Sequence, residues 1–274
     1  MKKLLVVLIL LTGVFAGTPA FAAASPLDAT IQRLYQAILH RDADAAGLDY
    51  WRGESQRLSS HAVSAFAASH LVAEGLFTSA EYTAQARDDE GYVRDLYAAY
   101  LDRDADTGGL EYWKGKLQTL PREALRAGFI STPEHRALAS RSFNLSVYVP
   151  MDFLADMSRG LSGRAPDEAT FAAWSTALRT QSCTDLLARQ VPALAVALEA
   201  SSLRAGSDAA YVSSVYAGLL QREPDDAGLA FWVGWLPQGS RAQLLTGFLA
   251  SREFQQRAWQ LVPYACPVPP PAPG

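Results

Sequence analysis

The chain has 274 residues, of which 24 are basic and 28 acidic, for a net charge of −4; hydrophobic residues make up 49%. A mildly acidic balance excludes broad binding to a phosphate backbone, which needs concentrated lysine and arginine. With 2 cysteines and 4 histidines, none at metal-ligand spacing, redox and metal chemistry are poorly provided for.

The N-terminal MKKLLVVLILLTGVFAGTPAFAAASPLD sets Lys2 and Lys3 before an apolar run from Leu4 to Gly17, then small residues at Ala20 and Ala22. That order reads as a signal peptide over 1–22, cleaved after Ala22 or, alternatively, after Ala24. The run is short of the roughly 20 residues a membrane span needs, and no other segment approaches that length. The mature chain is expected to be secreted or periplasmic, with no membrane span after cleavage.

A repeat organises the rest. RDADAAGLDYW (Arg41 to Trp51) recurs as RDADTGGLEYW (Arg103 to Trp113) and REPDDAGLAFW (Arg222 to Trp232), with a worn copy RAPDEATFAAW (Arg164 to Trp174). Successive arginines lie about 60 residues apart, the signature of tandem units. The expected units are 26–88, 89–143, a degenerate 144–206, and 207–266, followed by a Pro-rich tail, 267–274.

In chain order, each unit opens with an apolar stripe at helical spacing. Unit 1 has Ile31, Leu34, Tyr35, Ile38 and Leu39; unit 2 has Val93, Leu96, Tyr97, Tyr100 and Leu101; unit 4 has Val212, Val215, Tyr216, Leu219 and Leu220. Unit 3 keeps Leu154, Met157 and Leu161 but carries Ser158 and Ser162, and is expected to be the least regular. A second helix buries Leu110, Trp113 and Leu117, or Leu229, Trp232 and Leu236. A third follows around Leu125 and Phe129, or Leu244 and Phe248. A fourth opens at Thr132-Pro133-Glu134, Ser79-Ala80-Glu81 and Ser251-Arg252-Glu253, with a capping hydroxyl and an early acid. In unit 1 the stretch from about Ser59 to Ser79 reads as an insertion. The expected fold is all-α, in tandem units of about four short helices each.

The motif itself invites a calcium reading that its spacing denies. An EF-hand loop needs ligands at positions 1, 3 and 5 and a bidentate acid at 12. From Asp42 those last two slots hold Ala46 and Gly53; from Asp104, Gly108 and Gly115; from Glu223, Ala227 and Gly234. No metal or cofactor is assigned. The spacing instead reads as a structural joint. Arg41, Arg103, Arg164 and Arg222 end the first helix, where a cation suits the dipole and can reach the aspartate three residues on. Asp44, Asp106, Asp167 and Asp225 N-cap the second helix. Trp51, Trp113, Trp174 and Trp232 face the core. Tyr50, Tyr112 and Phe231 are candidates for an outward stacking platform.

No Gly-x-Ser-x-Gly, P-loop or His-Glu-x-x-His is present. His40, His61, His70 and His135 do not recur between units, and His61 and His70 are expected to be solvated surface residues. Cys183 and Cys266 are expected to form a disulfide, worth about 4 to 5 kcal/mol by loop closure; two separate thiols are the alternative. Asn144-Leu145-Ser146 matches a glycosylation sequon.

LYQAILHRDADAAGLDYW, LYAAYLDRDADTGGLEYW and VYAGLLQREPDDAGLAFW, with GFISTPEHRA and GFLASREFQQRA, resemble the bacterial domain of unknown function 4214 family. More distantly they are similar to the linker domains of phycobilisomes. The resemblance implies a compact helical module of exported and surface bacterial proteins, with no catalytic residues to carry over. The chain is therefore expected to be a non-catalytic interaction or scaffold module whose partner is an envelope or surface protein or glycan. The alternative is a glycan-processing hydrolase with a carboxylate pair in a groove between units.

Overall fold

The computed structural model describes residues 26–142, 150–182, 185–200 and 206–261. The segment read as a signal peptide, both cysteines, the sequon and the Pro-rich tail lie outside the described residues.

The apolar stripe of each regular unit builds a helix that ends in a wider turn. In unit 1, α1 (Pro26–Leu34) passes into a π turn (Tyr35–Leu39). Unit 2 repeats this with α5 (Asp89–Leu96) and Tyr97–Leu101, and unit 4 with α12 (Asp208–Val215) and Tyr216–Leu220. The stripe predicts a plain α-helix, so the π turn corrects that expectation; it begins on the stripe's tyrosine each time. Unit 3, with Ser158 in the tyrosine's place, stays α-helical through α9 (Pro150–Ser162). Every stripe position is buried, both serines included.

Each first helix then stops at a left-handed residue: His40, Asp102 and Gln221 at φ 55°, 52° and 51°, and Gly163 at 76°. For the three with a Cβ this conformation costs of order 1–3 kcal/mol and must be held by the surroundings. Unit 3 relieves the cost with glycine.

Second helices follow at α2 (Ala45–Ser60), α6 (Thr107–Lys116), α10 (Glu168–Thr180) and α13 (Asp226–Trp235). Third helices are α3 (Ala65–Phe77), α7 (Arg122–Ser131) and α14 (Arg241–Ala250); fourth helices are α4 (Ala80–Ala84), α8 (Pro133–Ser142) and α15 (Arg252–Leu261). In unit 3 a π turn (Leu186–Gln190) runs directly into α11 (Val191–Ala200). No strand occurs among the described residues, and the fold is all-α. The stretch read as an insertion in unit 1 is chiefly α3, the counterpart of α7 and α14; unit 1 differs by having longer second and third helices.

The units associate in pairs. The first helices of units 3 and 4 cross where Gly160 meets Gly218: a Cβ on Gly160 would stand 2.2 Å from the Gly218 Cα. At the corresponding crossing of units 1 and 2, Arg33 donates to the carbonyls of Ala98 and Ala99, both at 2.9 Å. The pairs then stack unit 1 on unit 3 and unit 2 on unit 4. Glu168, four residues after its motif arginine, meets Arg57 at 3.0 Å and His61 at 2.8 Å. Asp226, at the same place in unit 4, meets Lys116 at 3.0 Å.

Because the atoms facing Gly160 are backbone, no side chain can yield to an added methyl. Gly160→Ala should therefore lose about 2–3 kcal/mol in urea or thermal unfolding.

Candidate functional site

The motif residues converge on one joint per unit. The N-cap aspartate accepts the N–H three residues on: Asp44 from Gly47 at 2.7 Å, and Asp106 from Gly109, Asp225 from Gly228 and Asp167 from Thr170, each at 2.8 Å. The arginine lies over the tyrosine ring of its own π turn, with guanidinium carbon to ring centre 5.1 Å for Arg41–Tyr35, 4.8 Å for Arg103–Tyr97 and 4.9 Å for Arg222–Tyr216. Beneath it the tyrosine hydroxyl rests against the glycine that follows the cap. A Cβ at Gly47, Gly109 or Gly228 would lie only 2.4, 1.8 or 2.4 Å from that oxygen.

The arginine's main partner differs from the sequence expectation. Its ion pair with the aspartate three residues on is the longer one, 3.5 Å for Arg41–Asp44, 3.2 Å for Arg103–Asp106 and 3.6 Å for Arg222–Asp225. The shorter, two-pronged pair is with the glutamate that opens the fourth helix. Arg41 reaches Glu81 at 2.5 and 2.8 Å, Arg103 reaches Glu134 at 2.6 and 3.0 Å, and Arg222 reaches Glu253 at 2.7 and 3.0 Å. These forked pairs hold Glu81 below the usual carboxylate range. The sequence shows both halves, Arg in the motif and Glu in the capping segment, but nothing in their spacing of 31 or 40 residues announces the contact.

Unit 3 rebuilds the joint without its tyrosine. Ser158 stands in that place and donates to the Arg164 carbonyl at 2.9 Å. With no hydroxyl to receive, the glycine becomes Thr170, and Trp174 turns its N–H to the Pro150 carbonyl at 3.3 Å. Tyrosine and glycine are lost together.

Tyr50, Tyr112 and Phe231, each just before the joint tryptophan, are 65%, 53% and 62% exposed. Each stands edge-on to that tryptophan, at 4.9, 5.1 and 5.0 Å between ring centres. The tryptophans lean inward over third-helix glycines: a Cβ on Gly75 would lie 2.4 Å from Trp51, and one on Gly128 2.8 Å from Trp113.

The expectation that His61 and His70 are solvated is corrected: His70 is buried, as is His135, and His61 is three-quarters covered, stacked on Phe171 at 4.2 Å. For His70 the spacing carries no burial signal, because its partners lie 65 and 86 residues away. The Nε2 atoms of His70 and His135 meet at 2.9 Å, His70 Nδ1 faces Asp156 at 3.1 Å, and His135 Nδ1 donates to the Tyr100 carbonyl at 2.7 Å. Burial, with His70 alongside, pushes His135 down to about 3, so it is neutral and accepts at Nε2. Beside this chain Glu74 takes a forked pair from Arg126, both bonds 3.0 Å, and Arg159 lies 3.4 Å from Asp156. Units 1, 2 and 3 thus meet on buried charge. Among the described residues no cluster of three or more His, Cys, Asp or Glu could hold a metal ion.

The family model described as "Domain of unknown function (DUF4214)" matches residues 73–139 and 197–258. Each segment runs from the end of one unit's last long helix to the fourth helix of the next. Tyr35, Arg41, Asp44 and Gly47 lie outside both segments and build the same joint. No curated protein and no solved structure matches the chain, and the likeness to phycobilisome linkers rests on the motif alone.

Glu223 supplies a pH test. Its Oε2 is buried without a hydrogen-bond partner, packed with Trp113 over Gly128, and burial pushes it up to about 7. The folded state therefore holds this proton after the unfolded chain has released it, and stability falls as pH rises from about 4.5 to about 7. Glu223→Gln should flatten that segment of a stability–pH profile. At pH 8 it should exceed the wild type by roughly 1–3 kcal/mol, allowing for partial exposure.

Proposed function

We propose that this chain, which carries two copies of the domain of unknown function 4214, is an exported, non-catalytic interaction module that uses repeated aromatic rings to bind envelope glycans. The observation that carries the reading is the recurrence of Tyr50, Tyr112 and Phe231 at one joint position, each more than half exposed. A single exposed ring is ordinary on a protein surface, but the same position exposed in three units is not explained by packing. A rigid ring offers its electron-rich face to the C–H face of a sugar with little conformational entropy to lose. Export rests on the basic, apolar and small-residue order of residues 1–22.

The acids support a non-catalytic role. Asp44, Asp106, Asp167 and Asp225 cap helices, and Glu81, Glu134 and Glu253 hold arginines. Glu74 and Asp156 are tied to Arg126, Arg159 and His70. A glycosidase needs two carboxyls facing across a sugar-sized gap.

Screening the mature protein on an envelope-glycan array should give binding that persists in a calcium chelator. The triple change Tyr50→Ala, Tyr112→Ala and Phe231→Ala should reduce it at least tenfold. Binding that survives the triple change, or no binding to any glycan, would contradict the reading.

A further inference from the structure

The unit that has lost its tyrosine carries a cleft beside the place where the ring would stand. It has a volume of about 350 Å³ and is lined by the buried Ser158 and Ser162 together with Arg164, Asp167, Thr170 and Leu194. Ser158 is the tyrosine position, Arg164 the arginine that covers the ring in the other units, and Thr170 the glycine that receives its hydroxyl. The three regular units show what this framework holds: a phenol with a guanidinium about 5 Å over its face and its oxygen at the start of the second helix.

We propose that unit 3 is a binding site for a phenolic ring supplied from outside the chain. Leu194, Ala165 and Pro166, which line the cleft, give the ring apolar contact, and Arg164, another lining residue, holds the position that covers the ring in the other units. The ring sits shallower than its internal counterparts. In those, the hydroxyl comes within 2.4 Å or less of where a Cβ would be, and Thr170 has that Cβ. The phenol oxygen is thereby placed beside the Thr170 hydroxyl and the Asp167 carboxylate, which can accept its proton in a hydrogen bond. The volume is ample, since a cavity of about 150 Å³ suffices for benzene. The site is distinct from the exposed rings of the proposed glycan platform and does not depend on that reading.

Two sources share this chemistry: a free small phenol and a tyrosine side chain of a partner polypeptide. The test titrates the mature protein with p-cresol, with N-acetyl-tyrosinamide and with toluene, following binding by NMR. Expected is saturable binding of a phenol, at least fivefold tighter for p-cresol than for toluene, with shifts centred on Thr170 and Leu194. Preference for N-acetyl-tyrosinamide over p-cresol assigns the site to a polypeptide, and the reverse to a free phenol. Ser158→Tyr combined with Thr170→Gly, which rebuilds the internal plug, should abolish binding. Ser162→Leu, the residue found in the regular units, should weaken it at least fivefold should the plugged variant not fold. Absence of saturable binding, equal affinity for toluene, or binding unchanged in either folded variant would overturn the proposal.

Discussion

The fold depends on how each unit reverses direction after its first helix. The reversal passes through a left-handed residue, which three of the four units make with a side chain that disfavours it. The next residue, an arginine, makes the conformation tolerable. Its guanidinium lies on the tyrosine of the helix just ended and forks onto the glutamate that opens the fourth helix. One side chain thus ties together the start, the corner and the end of a unit. Below it, the tyrosine and glycine set the distance between first and second helix, and the tryptophan closes onto the third. The ion pairs are partly exposed and would contribute little alone. The forked geometry over an aromatic face gives them direction, and the buried tyrosine carries the packing.

Between units the logic changes. Units 3 and 4 touch glycine to glycine, with backbones so close that dispersion and shape decide the crossing. Units 1, 2 and 3 meet instead on buried Glu74, Arg126, Asp156, Arg159, His70 and His135. Such a cluster gains little net stability, because desolvation offsets much of the attraction. It does fix which surfaces meet, since a sliding helix would strand a charge. The docking of Glu168 on Arg57 and of Asp226 on Lys116 uses the same motif position for opposite halves of the molecule, so a local joint also sets the long-range arrangement.

Much of this is visible in the sequence because it is periodic. The stripe from Ile31 to Leu39, the cap at Asp44 and the outward Tyr50 follow from spacing within one helix or one turn. The repeat lets each be checked against its copies. What spacing does not reveal depends on distant partners. Glu81 reads as a helix opening, and its grip on Arg41 across 40 residues needs the tertiary fold. His70 looks like any surface histidine until Asp156 and His135 arrive from other units. The π turns leave no periodic trace, since the same stripe fits a plain helix. Unit 3 could be seen to be worn, but that Ser158 and Thr170 are one change needs the contact between tyrosine and glycine in its sisters.

That contact sets the spacing of the first and second helices in each regular unit. A double-mutant cycle in unit 2, combining Gly109→Ala with Tyr97→Phe and read by urea unfolding, measures it directly. Alanine alone should cost about 1–3 kcal/mol by driving a methyl into the tyrosine hydroxyl. Removing that hydroxyl should recover a large part of the loss, for a coupling of about 1 kcal/mol or more. Two independent, additive losses would mean that tyrosine and glycine do not form one joint, and the reading of the four units would fail with it.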